Sequence, residues 1–370
     1  MPLPRLALGI LTATAFTLAC RDTAPTPPKT VHPSLTSAPA ETNIATWLAH
    51  HIRSPHRRAP HARGEPVILA GAGDIARCYP GSDVSQFKVP DVSNPASQTA
   101  QLLDEMPDAT VMTVGDNAYE LGSPFDYAGC YNPTWGRFRG RTRPATGNHE
   151  YLTPAAAGYF SYFGSDAAPP LGYYSYDLGA WHVVVINSTP QVYGCWPPEI
   201  DEIPPGFPTL PTPLKPGPAA GRACAGDVAQ QAWLAADLAA HRDARCTIAY
   251  FHHPRFSSGM HGNQYQMQKI WDIMYANGVD VVVSGHDHMY ERFAPQNPNG
   301  RLDPASGIRQ FTVGTGGAEF YAVSVRQPNS ERLINDEHGI LALALGDGAY
   351  AWSFESVGHT IDDAGSDRCH

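Results

Sequence analysis

Residues 279–292, VDVVVSGHDHMYER, contain the pattern on which the predicted fold and function depend. The β-branched run before Gly285 is typical of a buried strand, so His286 and His288 follow at the point where the strand ends and the chain turns. A glycine there lets the backbone bend and direct both imidazoles into one cleft. For an isolated His-x-His pair, two surface histidines are the simpler explanation. The pattern therefore predicts a metal site only if other loops supply further ligands.

The composition is that of a soluble globular protein with one large domain or two small ones. The chain has 370 residues, of which 42% are apolar and 16% are charged. Its formal net charge is −10, and it contains no block of lysine and arginine. Nucleic acid or an anionic membrane as the main partner is therefore not expected.

Residues 1–20 are predicted to be a secretory signal peptide. Arg5 precedes an apolar run over residues 6–19, which has the length of a signal-peptide core and is too short to span a membrane. Plain cleavage nearby and lipidation of Cys20 both remain open, because the residues before this cysteine match a lipoprotein signal only in part. We expect an exported protein that is secreted, periplasmic or lipid-anchored at the cell surface, with membrane contact only through Cys20.

Residues 21–65 are rich in proline, threonine, alanine and histidine and lack periodicity. We interpret them as a linker or arm, and residues 66–370 as the folded domain. Of the seven cysteines, six remain besides Cys20, which would allow three disulfides in an oxidising compartment. The sequence does not determine their connectivity, but Cys195 and Cys224 flank the proline- and glycine-rich insert 190–226 and are the pair we expect. The chain contains no C-x-x-C motif, so a zinc ribbon is not favoured as an alternative.

Strand and helix patterns alternate over the first two thirds of the domain and give way to strands alone after Arg292. Strands are predicted at 67–70, 110–114, 246–251 and 279–284, with a hairpin over 173–188 and helices after Pro95, after Asp227 and around Trp271. The later strands, at 311–314, 340–345 and 350–354, have no helices between them, which favours antiparallel pairing. This order predicts an α/β (α+β) sandwich of two mixed sheets packed face to face, with helices on the outer faces.

Five loops at or near predicted strand ends carry groups that bind metals. In chain order they supply Asp74; Asp116 with Tyr119; Asn148 with His149; His252; and His286 with His288. Loops at the carboxyl ends of strands in layered α/β folds converge on one crevice. A single aspartate after a strand is more often a turn or cap residue, but the coincidence of five such loops favours one shared site.

The mixture of ligand types limits the chemistry of this site. Carboxylate, amide oxygen and imidazole without thiolate suit Zn, Mn or Fe, and the phenolate of Tyr119 favours ferric iron. Two ions about 3.5–4 Å apart would hold a hydroxide nucleophile and bind the oxygens of a phosphate group during an in-line displacement.

The same motifs, in the same order, resemble those of the calcineurin-like metallophosphoesterases. They are GD at 73–74, GD at 115–116 with Tyr119, GNHE at 147–150, H-x-P at 252–254 and GHDH at 285–288. Tyr119 and the YER ending at 290–292 make the chain most similar to the purple acid phosphatase branch. The resemblance spans about residues 67–292 and implies the four-layer αββα fold of that family.

The resemblance also implies a role for each motif residue. Asp74, Tyr119 and His288 would bind Fe³⁺, and Asn148, His252 and His286 would bind a second ion, Zn²⁺, Mn²⁺ or Fe²⁺. Asp116 would bridge the two ions. His149 would stabilise phosphoryl oxygens and protonate the leaving alkoxide. His261 matches a second substrate-facing histidine, for which a plain surface histidine is the alternative.

Three neighbouring residues qualify this assignment. His253 is expected to point away from the site, since neighbours in an extended segment face opposite sides, and Glu150 is expected to orient a ligand. The wider superfamily often has histidine at the position of Ala76, and the purple branch usually has glycine. Without that histidine the first metal depends on Tyr119.

The sequence thus predicts an exported binuclear phosphatase that hydrolyses small phosphate monoesters by attack of a metal-bound hydroxide, without a phosphoenzyme. A phosphodiesterase or nucleotidase with the same two-metal site is the alternative, because the ligand motifs do not fix the substrate. A cell-surface binding protein on the same scaffold would be favoured by the loss of a metal ligand, and none is lost.

Overall fold

Two mixed β-sheets, packed face to face, position every element of the fold. The computed structural model describes residues 44–46, 48, 65–78, 92–193 and 227–370, all within one compact unit, Ala38–His370. The predicted signal peptide, most of the predicted linker and the expected Cys195–Cys224 pair lie outside the described residues. The described strands are β1 Val67–Ala72, β2 Thr110–Val114, β3 Thr142–Ala145, β4 Tyr174–Leu178, β5 Trp181–Val185, β6 Cys246–Tyr250, β7 Val281–Ser284, β8 Tyr290–Phe293, β9 Arg309–Val313, β10 Ser330–Ile334, β11 Gly339–Leu345, β12 Ala349–Ser356 and β13 Thr360–Arg368. The described helices are α1 Pro95–Asp104, α2 Pro124–Asp126, α3 Ala157–Phe163, α4 Thr189–Tyr193, α5 Val228–Ala240 and α6 Gln268–Ala276.

Each sheet combines parallel strands that lead to the site with antiparallel strands. The first has the order β13-β12-β11-β1-β2-β3, with β1, β2 and β3 parallel. The second has the order β10-β8-β9-β7-β6-β5-β4, with β5, β6, β7 and β9 parallel. The predicted antiparallel pairing of the late strands is confirmed for β11 and β12. It is wrong for β9 on one side, because β9 inserts between β8 and β7 and is parallel to β7.

The alternation of side chains along β5 shows how the layers are built. Val183 and Val185 lie in the apolar cluster that joins the two sheets. Val184 and Ile186 lie in a second cluster, with Leu234 and other residues of α5 and α6 on the outer face. Because successive strand residues point to opposite faces, an apolar run such as this one is buried on both sides. The predicted sandwich with outer helices is confirmed.

The predicted helix signals agree with the structure. The Asn94 side chain accepts a hydrogen bond from the backbone of Ala96 at the start of α1, which buries Leu102 and Leu103. Asp227 caps α5 by accepting from the Gln230 backbone N–H. None of the helices in the described part of the chain combines the length and apolar character needed to cross a bilayer.

Two disulfides and two residues of the predicted linker add further contacts to this core. Cys246, at the start of β6, is bonded to Cys369 after β13, which joins the second sheet to the first, and Cys78 is bonded to Cys130. Such bonds over long loops restrict the unfolded chain. Two side chains of the predicted linker, Ile44 and Leu48, are buried in the cluster between the sheets.

His182 lies between two carboxylates where β4, β5 and α5 meet. Its Nδ1 is 3.1 Å from Asp177 Oδ1, its Nε2 is 2.8 Å from Asp237 Oδ2, and its ring stacks on His241 with the centroids 3.8 Å apart. Burial alone would lower the pKa of His182, but the two carboxylates outweigh burial and raise this pKa above its ordinary value.

We predict that protonated His182 stabilises the fold. Because its pKa is raised in the folded protein, the contribution is fully present below the ordinary histidine pKa of about 6.5 and is lost as pH rises through the folded-state value. The free energy of unfolding can be measured by urea denaturation at about pH 5.5 and about pH 8.5. Between the lower and the higher pH it should fall more in the native protein than in His182→Gln. Equal slopes for the native protein and His182→Gln would contradict the prediction.

Candidate metal centre

The side chains predicted to bind metal lie together, buried at one edge of both sheets. Each follows a strand of the parallel sets β1–β3 or β6–β7, and parallel strands present their carboxyl ends at the same edge. At most 5% of any of these residues is exposed. The set comprises Asp74, Asp116, Tyr119, Asn148, His252, His286 and His288.

Tyr119 is the centre of the first group of contacts. Its phenolic oxygen lies 2.9 Å from Asp74 Oδ1, 3.2 Å from Asp116 Oδ2 and 3.0 Å from His288 Nε2. The three residues predicted to bind the ferric ion are therefore in mutual contact. Asp116, the predicted bridging residue, touches the same phenolic oxygen.

Asp116 also contacts the second group. Its Oδ2 is 3.1 Å from His252 Nε2, and the His252 ring lies 5.0 Å from the His286 ring. Asn148 lines the same pocket as Asp116 and His286. One carboxylate oxygen thus stands between the predicted ligands of the two ions.

Left-handed backbone at three of these residues directs them into the site. Asp74, Asp116 and His286 have φ values of 57°, 47° and 72°. This conformation is unfavourable for residues other than glycine, although aspartate and histidine adopt it more often than most, and it concentrates at functional sites. The turn that was predicted from Gly285 therefore extends into His286 itself.

The glycines of two motifs are needed for close approach of the loops. A Cβ atom on Gly147 would lie 2.1 Å from Asp116 Oδ1, and one on Gly285 would lie 2.5 Å from Asp74 Oδ2. Any side chain at these positions would displace a carboxylate of the site. The Gly-Asn-His and Gly-His-Asp-His spacings therefore reflect packing around the two aspartates.

Glu150 fixes the loops that carry Asp116 and Asn148. Its buried carboxylate accepts hydrogen bonds from the backbone N–H groups of Asp116 at 3.0 Å, Asn117 at 2.8 Å and Gly147 at 2.6 Å. It also accepts one from the Tyr127 hydroxyl at 3.1 Å. Glu150 thus holds the backbone of Asp116 rather than a ligand side chain.

The electrostatics of the cluster favour positive charge. Burial alone would raise the pKa of Asp116, but the imidazoles of His252 and His149 hold the pKa of that carboxyl below its ordinary value. Burial opposes protonation of His252, yet Asp116 and Asp74 raise its pKa to about 9. Burial and the same two carboxylates raise the pKa of Tyr119 well above its ordinary value. The two aspartates therefore favour the binding of cations between these buried side chains.

The donor set fits metal ions. Within the described ranges, Asn148 Oδ1 is buried and has no hydrogen-bond partner, an arrangement that is costly unless another group satisfies it. Ligand atoms of Asp74, Asp116 and His252 lie within 4.8 Å of one another. Carboxylate, phenol, amide and imidazole together suit iron, zinc or manganese.

The two histidines predicted to act on the substrate both line the pocket, which has a volume of about 350 Å³. His149 Nδ1 is 2.6 Å from the Glu120 carbonyl oxygen, and its Nε2 is 3.9 Å from Asp116 Oδ2. The ring of His261 stacks on His286 with the centroids 4.2 Å apart. The side chain of His261 is 23% exposed.

The prediction that His253 points away from the site is only half right. His253 is absent from the pocket wall, but its ring packs 4.5 Å from His286, and its Nδ1 lies 2.8 Å from Ser188 Oγ. Strand β6 ends at Tyr250, and the chain bends at residues 252 and 253. The alternation of an extended strand therefore no longer applies there.

Sequence reasoning missed an ionic cluster on the pocket wall. Arg77 forms ion pairs with Glu120 and Glu319. The carbonyl oxygens of these two glutamates lie 2.6 Å from His149 Nδ1 and 2.5 Å from His288 Nδ1. Arg77 therefore connects the two segments that orient these imidazoles. Its positive charge is paired with the carboxylates of Glu120 and Glu319. The only local signal for this cluster in the sequence is that Arg77 and Glu120 come shortly after the predicted ligands Asp74 and Tyr119.

Tyr321 is a second residue of the wall that sequence reasoning missed. Its ring stacks on His288 with the centroids 3.8 Å apart and meets the edge of His261 at 5.2 Å. It lies in a stretch between β9 and β10 that has no strand or helix periodicity, so no pattern in the sequence indicated it.

Comparison with known proteins gives a family and a fold. A model of the calcineurin-like phosphoesterase family matches residues 91–290, more than half of the chain. Purple acid phosphatase 18 of Arabidopsis thaliana is 36% identical over 108 residues, 28% of this chain and 24% of that protein. Purple acid phosphatase 21 of the same plant is 26% identical over 286 residues, 69% of this chain and 57% of that protein. The chain thus spans between about a quarter and three fifths of the length of these relatives.

Solved structures share the fold at low sequence identity. The purple acid phosphatase PPD1 from yellow lupin seeds aligns with a TM-score of 0.52 and 16% identity over 82% of this chain and 54% of that one. GAP50, described as the anchor in the inner membrane complex of Plasmodium, aligns with a TM-score of 0.56 and 12% identity over 83% and 90%. At these identities the likeness concerns the fold alone.

We predict that Glu150→Gln weakens metal binding while the protein stays folded. The amide nitrogen cannot accept hydrogen bonds, so some of the backbone N–H groups around Asp116 lose their acceptor. We expect metal affinity to fall by about 10- to 100-fold, measured as metal content after dialysis against graded chelator. Glu355→Gln, a change of another buried glutamate on β12, should retain metal as the native protein does. Equal metal retention by the two variants would contradict a role of Glu150 in the centre.

Proposed function

The chain belongs to the calcineurin-like phosphoesterase family, and we propose that it is an exported binuclear metallophosphatase that hydrolyses phosphate monoesters. The observation that carries the proposal is the position of Asp116 Oδ2, 3.2 Å from the Tyr119 oxygen and 3.1 Å from His252 Nε2. One carboxylate oxygen between two groups of buried ligands is suited to a pair of metal ions.

In this proposal each ion has its own ligand group. Asp74, Tyr119 and His288 hold Fe³⁺, for which the phenol of Tyr119 is the specific argument. The second ion, Zn²⁺, Mn²⁺ or Fe²⁺, would be bound by Asn148, His252 and His286. Asp116 would be a ligand of both ions. When bound, the two ions supply Lewis acidity, lowering the pKa of a water molecule and neutralising charge on the phosphate.

His149 is proposed to act on the phosphoryl group and the leaving alkoxide. Its Nδ1 is held by the Glu120 carbonyl oxygen, so the opposite edge of the ring, with Nε2, faces the pocket. Burial alone would lower the pKa of His149, but Asp116 and Glu120 raise it above its ordinary value. A histidine in this position donates a proton to an oxygen that gains charge. His261, which also lines the pocket, is proposed to bind the phosphoryl oxygens.

The proposed substrates are small phosphate esters. A pocket of about 350 Å³ admits a phosphate group with a modest leaving group. Met260 lines the pocket and is 56% exposed, which gives the mouth an apolar contact surface. The net charge of −10 gives no support to nucleic acid as a substrate.

Export and domain organisation belong to the same proposal. The signal peptide is proposed for residues 1–20, the linker for 21–65 and the catalytic domain for 66–370. The Cys78–Cys130 and Cys246–Cys369 bonds are consistent with an oxidising compartment. All proposed ligands, from Asp74 to His288, lie inside the proposed catalytic domain.

We expect the pure protein to hydrolyse p-nitrophenyl phosphate with a higher kcat/KM than bis(p-nitrophenyl) phosphate, because the pocket and its two histidines fit one terminal phosphoryl group. The assay is run across pH with a chelator control, which should abolish both activities. A preference for the diester would replace the proposal by a phosphodiesterase at the same site. A metal-loaded protein without activity on either ester would favour a binding role, as the name of the Plasmodium neighbour indicates for that protein.

We also expect the pure protein to be coloured. A phenolate bound to Fe³⁺ gives a charge-transfer band in visible light, and Tyr119 is the only tyrosine in the proposed ligand set. Tyr119→Phe should lose the band, whereas Tyr321→Phe, which changes a neighbouring tyrosine of the pocket wall, should keep it. Two zinc ions and no iron in elemental analysis of the native protein would refute the ferric assignment.

A further inference from the structure

Asp287 stands between two proposed ligands in the chain but faces away from the metal centre. Its carboxylate is fully buried and contacts the loop of residues 257–263. The Ser257 hydroxyl donates to Oδ2, and Oδ1 accepts from the His261 backbone N–H at 3.0 Å. The same Oδ1 lies 3.1 Å from His261 Nδ1. This carboxylate therefore binds both the backbone and the side chain of a residue that lines the pocket.

These two bonds fix the orientation of the His261 ring. With Nδ1 directed to Asp287, the opposite edge of the imidazole, which carries Nε2, is turned away from that carboxylate. The ring also lies nearly parallel to His286, at an interplanar angle of 27°. The side chain is 23% exposed and lines the pocket. His261 is thus held through its backbone and Nδ1 while its ring lines the pocket.

The loop packs directly on the Asp287 carboxylate. A Cβ atom on Gly259 would lie 2.3 Å from Asp287 Cγ, so only glycine allows this approach. The Gly259 N–H donates to Ser257 Oγ at 3.0 Å, and that hydroxyl in turn donates to Asp287. The loop is therefore shaped around this one carboxylate.

Glu291 holds the same loop at another point. It accepts hydrogen bonds from the backbone N–H of Ser258 at 2.9 Å and from the Ser258 hydroxyl. Like Asp287, Glu291 is fully buried. The two carboxylates thus hold one loop at two points, Asp287 at His261 and Glu291 at Ser258.

We propose that Asp287 is a positioning residue that holds His261 with Nδ1 as donor and Nε2 directed at the bound phosphate. The inference rests on the proposed function, since only that function gives His261 a substrate. It explains why an acidic residue separates His286 and His288. The middle position of the His-x-His pair orients a histidine from another loop.

The kinetic test is a double-mutant cycle with p-nitrophenyl phosphate on the full-length, metal-loaded protein. His261→Ala and Asp287→Ala should each lower kcat/KM by about 100-fold, and the double variant should lie within about twofold of the weaker single variant, because both changes remove the same interaction. Glu291→Ala should have a small effect that multiplies with that of His261→Ala. Metal content should be native in all variants. Multiplicative losses for Asp287→Ala and His261→Ala would overturn the proposal.

A second measurement does not depend on catalysis. In full-length protein loaded with diamagnetic zinc and labelled with ¹⁵N-histidine, long-range ¹H–¹⁵N spectra should show a proton on Nδ1 of His261. Asp287→Ala should shift the ring toward the Nε2–H tautomer, and Glu291→Ala should not. Unchanged spectra in Asp287→Ala, or an unprotonated Nδ1 in the native protein, would overturn the proposal.

A variant that does not fold and a failure of the proposed function can each be distinguished from a failure of this proposal. If Asp287→Ala does not fold, Asp287→Ser gives the same test, because its single, shorter hydroxyl can accept from a loop donor but cannot replace both carboxylate oxygens. If the native protein hydrolyses no phosphate ester while the spectra behave as expected, the proposed function fails and the positioning of His261 by Asp287 stands.

Discussion

The shared carboxylate of Asp116 is the interaction on which the rest of the site depends. Its Oδ2 faces Tyr119, from the first sheet, and His252, from the second. Its Oδ1 accepts the backbone N–H of His149 at 2.9 Å, and its own N–H donates to Glu150. The left-handed backbone at this residue is thus held by bonds on both sides. Two sheets packed face to face with their parallel strands ending at one edge are needed to bring these groups to a single oxygen.

Burying so many acidic and polar groups is unfavourable unless positive charge accompanies them. The cluster meets part of this requirement itself, as the raised pKa of His252 shows. Asn148 Oδ1 still lacks a partner among the described residues. The network around the cluster is rigid, because Glu150 fixes one side and the Arg77 ion pairs with Glu120 and Glu319 fix the other. A framework of this kind sets the ligand positions before a cation arrives.

Sequence reasoning identified the parts of the structure that have local patterns. Buried strands such as β2 and β7 are apolar runs, and each predicted ligand follows such a run or a glycine. Strand β13 was missed because its sequence, TIDDAGSDR, is polar and lies at a sheet edge, and β3 was missed because it contains Pro144, which an edge strand tolerates. The Arg77–Glu319 ion pair joins residues 242 positions apart. No local pattern encodes a contact of that kind, so this wall of the pocket required the structure.

The side chains of residues 285–292 point in two directions, and the contacts in each direction account for the residue types found there. His286 and His288 enter the metal centre, and farther along the Tyr290 hydroxyl and the Arg292 guanidinium donate to Asp363 of β13, in the first sheet. Asp287 and Glu291 point the other way and hold the loop 257–263. The segment therefore joins the metal centre to the opposite sheet through one set of side chains and to the His261 loop through another. The whole block, rather than its two histidines, is the unit that the site requires.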